Sequence, residues 1–261
     1  MQNFLDKELV DRFRDLETKL HARCPNAQRE AQELSQGVTD PKVADANAVW
    51  GRIWDKPLYA NTKVAIANAA ILRLKPFVVG AWKQWGSESG DFLIAKIGKG
   101  SSTVAFEAVT PLAKSVREET GIAMHRLFAI QGAAGALRAR EAKSDTPYSD
   151  LPESDIKSII PSVQQEMGPG WGHVTVLHFL TDIGIACKPD MHLVNTVRHL
   201  GMSIDLDDRK VPSLSDAVTI NLRVRALAEM LYGSSNPTSL RYLDKTLMDI
   251  SMHGILTEHL N

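Results

Sequence analysis

Residues 167–201 read MGPGWGHVTVLHFLTDIGIACKPDMHLVNTVRHLG, and their pattern decides the fold class. Gly168-Pro169-Gly170-Trp171-Gly172 is a tight, glycine-punctuated turn between two helical segments. Glycine tolerates positive φ and lets another backbone come close. The helix that follows opens with N–H groups aimed out of its N-terminus, where the macrodipole is positive. Such an end suits a phosphate, held directly or through a bound cation. Leu177, Phe179 and Leu180 give this helix its apolar anchors, and Gly184 can end it. A turn through Lys188-Pro189 leads to Asp190, which is placed to cap the next helix. That helix carries Leu193, Val194, Val197 and Leu200 as its buried stripe, and Gly201 ends it. The plain reading is a helix, a turn, a helix and then a capped third helix.

Helical periodicity extends to both sides of this stretch. Phe4, Leu5, Leu9, Phe13, Leu16 and Leu20 recur at helical spacing between charges and predict a first amphipathic helix. Pro25 to Asp45 is polar and weakly patterned, so it reads as a linker. The Ala-rich run Lys63–Leu74 predicts a helix, and Pro76 is placed to open another that reaches about Trp85. Residues 92–97 and 103–109 flank Gly98-Lys99-Gly100-Ser101 and fit either a hairpin or short helices, with helices favoured by the alanine content. The glycine run lacks the G-x-x-x-x-G-K-[ST] spacing of a P-loop. Pro111–Thr120, ending at Gly121, and Ile122–Lys143 read as helices. A loop at 144–153 follows. Further helices are expected near 154–167, 173–184, 190–200, 214–232 and 238–250. The fold class is all-α. The sequence divides into an N-terminal helix and linker (1–45), a helical subdomain (46–150) and a subdomain holding residues 167–201 (151–261).

The chain of 261 residues is 44% hydrophobic and 23% charged, enough apolar material to bury a core. A net charge of −1 excludes the global basic field of a histone-like coat protein. It conceals an asymmetry. Residues 46–143 hold 14 Lys/Arg against 7 Asp/Glu, whereas residues 144–261 hold 9 against 15. A local basic face therefore remains available to a polyanion. Cys24 and Cys187 are too few for a cysteine-ligated iron–sulfur cluster, and no close Cys/His pairs suggest a zinc site. His173 and His178 are five apart rather than four, so they do not share a helical face as metal ligands would. No metal is expected. Reduced thiols, a charged N-terminal stretch without a signal-like apolar core, and no run of roughly 20 apolar residues lead to the expectation of a cytoplasmic protein without membrane association.

The order of these pieces resembles the helix–hairpin–helix DNA glycosylase superfamily, which includes endonuclease III, adenine glycosylase and 8-oxoguanine glycosylase. The likeness leans towards the 8-oxoguanine branch. The family pattern is an L-P-G-hydrophobic-G hairpin, a helix, then an aspartate in a V-D-x-H-like run opening a helix that ends in R-L-G. Here the hairpin is Met167–Gly172, the acidic run is Pro189-Asp190-Met191-His192, and the ending is Arg198-His199-Leu200-Gly201. Bifunctional members carry a lysine two residues after the last hairpin glycine. This chain has Val174, which cannot form the Schiff base that precedes strand cleavage. The cluster-binding cysteines of the endonuclease III branch are absent.

The resemblance implies two helical subdomains flanking a cleft, and a monofunctional glycosylase, or a lyase using a lysine from elsewhere, that acts on duplex DNA containing a damaged or modified base, as a monomer. Asp190 would be the catalytic carboxylate. Gly168, Gly170, Gly172, His173, Val174 and Lys188 would hold the DNA backbone, and the hairpin could hold a structural monovalent cation, with no other cofactor. Trp171, Trp82, Trp85 and His192, together with Phe179, are candidates for the pocket that receives the flipped base, with core packing as the alternative for the aromatics. Two other readings stay open on the residues alone. One is a non-catalytic helix–hairpin–helix nucleic-acid-binding module in which Asp190 is only a cap. The other is a helical interaction protein whose glycine turn merely joins two helices.

Overall fold

The computed structural model describes residues 2–87, 110–152, 155–202 and 212–256, with side chains from Lys7 onward. Among the described residues every element is helical and there is no strand. Helices α1 (Gln2–Arg23), α2 (Ala27–Gln36), α3 (Ala46–Ile53), α4 (Lys56–Tyr59), α5 (Val64–Val78) and α6 (Trp82–Trp85) come first. They are followed by α7 (Pro111–Thr120), α8 (Met124–Glu141), α9 (Ile156–Met167), α10 (His173–Asp182), α11 (Met191–His199), α12 (Leu214–Tyr232) and α13 (Pro237–Met252). No helix among the described residues is long and apolar enough to cross a membrane. The glycine run at 98–101 and the segments 92–97 and 103–109 lie outside the described residues.

The chain forms two compact units. One comprises Met1–Val38 and Leu180–Asn261, the other Thr39–Phe179. Breaks expected at 45 and 150 are not where this division falls. The reason lies in the first unit's core, which draws on both ends of the chain. Phe13, Leu16 and Leu20 of α1 share one buried cluster with Leu193 and Val197 of α11, Val224 and Leu227 of α12, and Leu240, Leu243, Leu247 and Ile250 of α13. These positions recur every three or four residues, so each helix offers one apolar stripe and the stripes close on each other.

Two expectations need correction. The polar segment 25–45 is no linker along its whole length, because it contains α2. Its buried positions are Ala27, Ala31 and Ser35, spaced by four, and they pack against α13. Small side chains allow that close approach but contribute little hydrophobicity, so the stripe reads as polar. Pro76 does not open a helix either; α5 runs through it to Val78. A proline in a helix removes the bond to the carbonyl four residues back. That carbonyl belongs to Leu72, and Leu72 and Pro76 are both exposed, so water can replace the missing donor. Other helix starts follow their sequence signals. Thr110 accepts a hydrogen bond from the Ala113 N–H ahead of Pro111, and Ser213 forms a reciprocal capping box with Asp216.

Candidate functional site

In the unit spanning 39–179, the five residues Gly168–Gly172 join α9 to α10. Pro169, Gly170 and Gly172 are exposed, while Trp171 turns inward and is 3% exposed. The indole N–H of Trp171 donates to the Ala129 carbonyl of α8 at 2.8 Å, and Gln164 of α9 donates to the Trp171 carbonyl at 3.0 Å. These two bonds pin the turn to both helices beneath it. Gly170 has φ of +90°, and a Cβ there would lie 2.6 Å from the Ala129 Cβ, so both backbone and packing require glycine. Gly172 differs. It has no positive φ, and among the described residues a Cβ would meet nothing within 4 Å. The first ladder bond of α10 runs from the Val176 N–H to the Gly172 carbonyl at 3.0 Å, so the Val174 N–H lies ahead of the ladder. His173 and Val174 are both half-buried.

In the other unit, Asp190 is the N-cap of α11, with extended backbone angles of −77° and 173°. Its Oδ1 accepts the Leu193 N–H at 3.0 Å. Among the described residues its Oδ2 accepts no hydrogen bond, and the residue is half-buried. The Asp190 N–H donates to the Lys188 carbonyl at 2.8 Å across Pro189, a very tight turn. Half-buried His192 brings Nδ1 to 3.4 Å from the Ser251 hydroxyl.

The segment leading to Asp190 is held by side chains that sequence reasoning did not single out. Asn221 of α12 grips both polar groups of the Cys187 backbone: its Oδ1 accepts the N–H at 2.8 Å and its Nδ2 donates to the carbonyl at 3.2 Å. Arg225, one turn on, donates to the Ile185 carbonyl at 2.6 Å. Asp244 of α13 accepts the Lys188 N–H at 3.1 Å and an Arg241 N–H at 2.7 Å, while Arg241 also meets Asp182 at 3.4 Å. Asp244 is buried, and burial pushes its carboxyl up to about 6; Arg241 and the Lys188 N–H oppose that rise and the nearby Asp190 adds to it. Burial also pushes the Cys187 thiol up, so this cysteine is an inert core residue. The signal available in the sequence was positional. Asn221 and Asp244 interrupt the apolar stripes Ala217-Ile220-Val224 and Leu240-Leu243-Leu247. A polar residue at such a place must find a partner.

The aromatic candidates for a base pocket take the packing alternative. Trp82 and Trp85 are at most 1% exposed, with indole N–H groups bonded to the Asn47 side chain and the Phe77 carbonyl at 2.9 Å each. Phe179 is buried edge-on against Tyr148. With Trp171 tied to Ala129, none of the four offers an open ring face for a base. A cavity of about 490 Å³ in the 39–179 unit is lined instead by Arg140, Lys143, Thr146, Asp150 and Glu166, among others. Arg140 is largely committed to the protein there. Four of its five N–H groups are taken by both Glu166 oxygens, the Pro147 carbonyl and Asp150 at 2.6–2.9 Å. Among the described residues no three His, Cys, Asp or Glu side chains group as metal ligands would.

No family model matches this chain, and neither a curated protein nor a solved structure matches it. The likeness of residues 167–201 to the helix–hairpin–helix glycosylases therefore rests on the sequence of those residues alone.

Proposed function

We propose that this protein is a monofunctional DNA glycosylase, which releases a damaged or modified base from duplex DNA by hydrolysing the N-glycosidic bond. The observation that carries this reading is the state of Asp190. Its cap bond uses one carboxylate oxygen, and among the described residues the other accepts none. Cleavage of the bond builds positive charge on the sugar, and an ionised carboxylate beside the anomeric carbon stabilises that charge and orients water. The exposed turn residues Pro169, Gly170 and Gly172 and the N–H groups at the start of α10 supply backbone contacts to phosphates, which position DNA without reading its sequence. The base must leave the stack, at a cost of a few kcal/mol that is least for damaged or mismatched bases. Val174 stands where a lyase lysine would, so the expected product is an abasic site in an intact strand.

A second reading has an observation of its own. The bond from Leu193 to Asp190 is a complete N-cap, which accounts for an aspartate at this position without any chemistry. A nucleic-acid-binding module would need no more. The experiment that separates the two uses duplexes each carrying one 8-oxoguanine, one uracil, one 3-methyladenine or one thymine opposite guanine, scored separately for free base and for strand breaks. Free base without breaks from any of them supports the glycosylase. Salt-sensitive binding with no base released from any supports the module. Breaks formed without added alkali contradict the monofunctional assignment.

A further inference from the structure

The bonds that precede Asp190 form a chain from two buried side chains to the candidate carboxylate. Asn221 holds Cys187 by both backbone groups, Asp244 holds the Lys188 N–H, and the Lys188 carbonyl receives the Asp190 N–H. Pro189, whose φ is fixed by its ring, fills the one position between them. On the other side of the segment, Gly184 has φ of +71° and a Cβ there would lie 2.2 Å from Pro237 at the start of α13, so the turn also sits directly against that helix. Asn221 and Asp244 are 2% and 5% exposed. The cap at Asp190 is local, spanning three residues, and does not itself call for them. Cys187 is 1% exposed, so its backbone groups must be met from within the protein, and Asn221 and Asp244 meet this segment immediately ahead of Asp190. Burying an amide and a carboxylate costs free energy unless every bond they make is used.

We propose that Asn221 and Asp244 are positioning residues for Asp190, fixing the Cys187-Lys188 backbone so that the carboxylate is held in one place for base release. The proposal rests on the reading that Asp190 performs that reaction. Neither side chain touches substrate; both act through the backbone they hold. The charged and titratable groups that face Asp244 are Arg241 on its own helix, Asp182 beyond Arg241, Asp190 and the Cys187 thiol. Arg241 keeps the site from being a bare pair of carboxylates. Displacing a catalytic group by about 1 Å can cost on the order of 10²-fold in rate, so a clamp on the preceding residue has a large lever.

Two variants of the intact chain test this. Asp244→Asn keeps an oxygen that can accept the Lys188 N–H, whereas Asp244→Ala removes it. Amide hydrogen exchange at Leu193, the donor to Asp190, should accelerate about tenfold in Asp244→Ala, the effect of one weakened hydrogen bond, and stay near wild type in Asp244→Asn. On whichever of the four duplexes releases base, the single-turnover rate should fall by roughly 10- to 100-fold in Asp244→Ala and recover in Asp244→Asn, with the Kd for DNA unchanged in both. Should Asp244→Ala fail to fold, the double variant Arg241→Met with Asp244→Leu removes the acceptor without stranding the guanidinium and carries the same expectations. Unchanged Leu193 exchange and an unchanged rate in the variants lacking the acceptor overturn the proposal. A loss as large in Asp244→Asn as in Asp244→Ala overturns it too. The exchange measurement needs no substrate. A wild type that releases none of the four bases therefore counts against the glycosylase reading, and exchange at Leu193 still decides the clamp.

Discussion

Asp190 Oδ1 lies 3.0 Å from the Leu193 N–H, so the candidate carboxylate is also the cap of the helix that follows it. One oxygen is committed to structure and one is not. Asn can make the same cap bond, but Ala cannot. Asp190→Ala should therefore lose about 1 kcal/mol of stability, while Asp190→Asn stays within about 0.5 kcal/mol of wild type. Thermal or urea denaturation of the two variants checks this. Equal losses in both would mean that the charge, rather than the cap, carries the stability.

The two exposed glycines of the 168–172 turn should respond differently to alanine. Gly170→Ala combines a positive φ with a 2.6 Å approach to the Ala129 Cβ and should cost about 1–3 kcal/mol. Among the described residues a methyl in Gly172→Ala meets nothing within 4 Å, so the variant should fold with stability within about 0.5 kcal/mol of wild type. An added methyl there touches none of the described residues and is open to what approaches from outside. Weaker DNA binding by Gly172→Ala at unchanged Tm is the expected outcome of a titration on a duplex at low salt. Unchanged binding would remove Gly172 from the DNA-contacting surface.

Asp244 links stability to pH in a direction its burial sets. It titrates at about 6 in the folded protein and at 3.8 as a free side chain. Between those values the folded protein keeps a proton that the unfolded chain has released, so this group's contribution to stability declines as pH rises through the window. A shift of that size corresponds to about 3 kcal/mol. Asp244→Asn does not titrate. The stability of wild type relative to this variant should be greatest below about pH 4 and lowest above about pH 7. Urea denaturation of both proteins at a series of pH values reads this out, and a constant difference across the series would contradict it.

Helix α2 packs on α13 through Ala27, Ala31 and Ser35, so its fit depends on small side chains. Ala31, 1% exposed, is the middle of that stripe. Ala31→Leu should overpack the contact and cost about 1–3 kcal/mol, although leucine is a good helix former. A Tm at or above the wild-type value would show the contact to be loose.

Legibility in the sequence followed locality. Helix α7 is bounded by signals that act within a turn: Thr110 caps, Pro111 fills the first helical position, and Gly121 closes with φ of +68°. Both of its ends were readable, as were those of α12. Helix α2 was not, because alanine and serine at four-residue spacing carry almost no hydropathy. The course of α5 through Pro76 depends on which carbonyl faces water, and that is set by tertiary packing. At the candidate site the same rule holds. The Lys188-Pro189-Asp190 turn and the glycine turn could be read directly. The side chains that hold Cys187 and Lys188 could not, since Asn221 and Asp244 are 34 and 56 positions away from the residues they bond. The tryptophans were legible only as large apolar residues. Whether a ring lines an open pocket or a closed core depends on neighbours that no local pattern specifies.

The most direct test of the account is base release by Asp190→Asn, measured under single-turnover conditions on a duplex from which the wild type frees a base. The variant retains a cap acceptor, so its Tm and its Kd for DNA should match wild type. Its rate of base release should fall by at least about 10³-fold, the scale of losing both charge stabilisation and general-base action. Base release by Asp190→Asn at a rate near that of wild type would contradict the catalytic assignment and leave Asp190 as a helix cap.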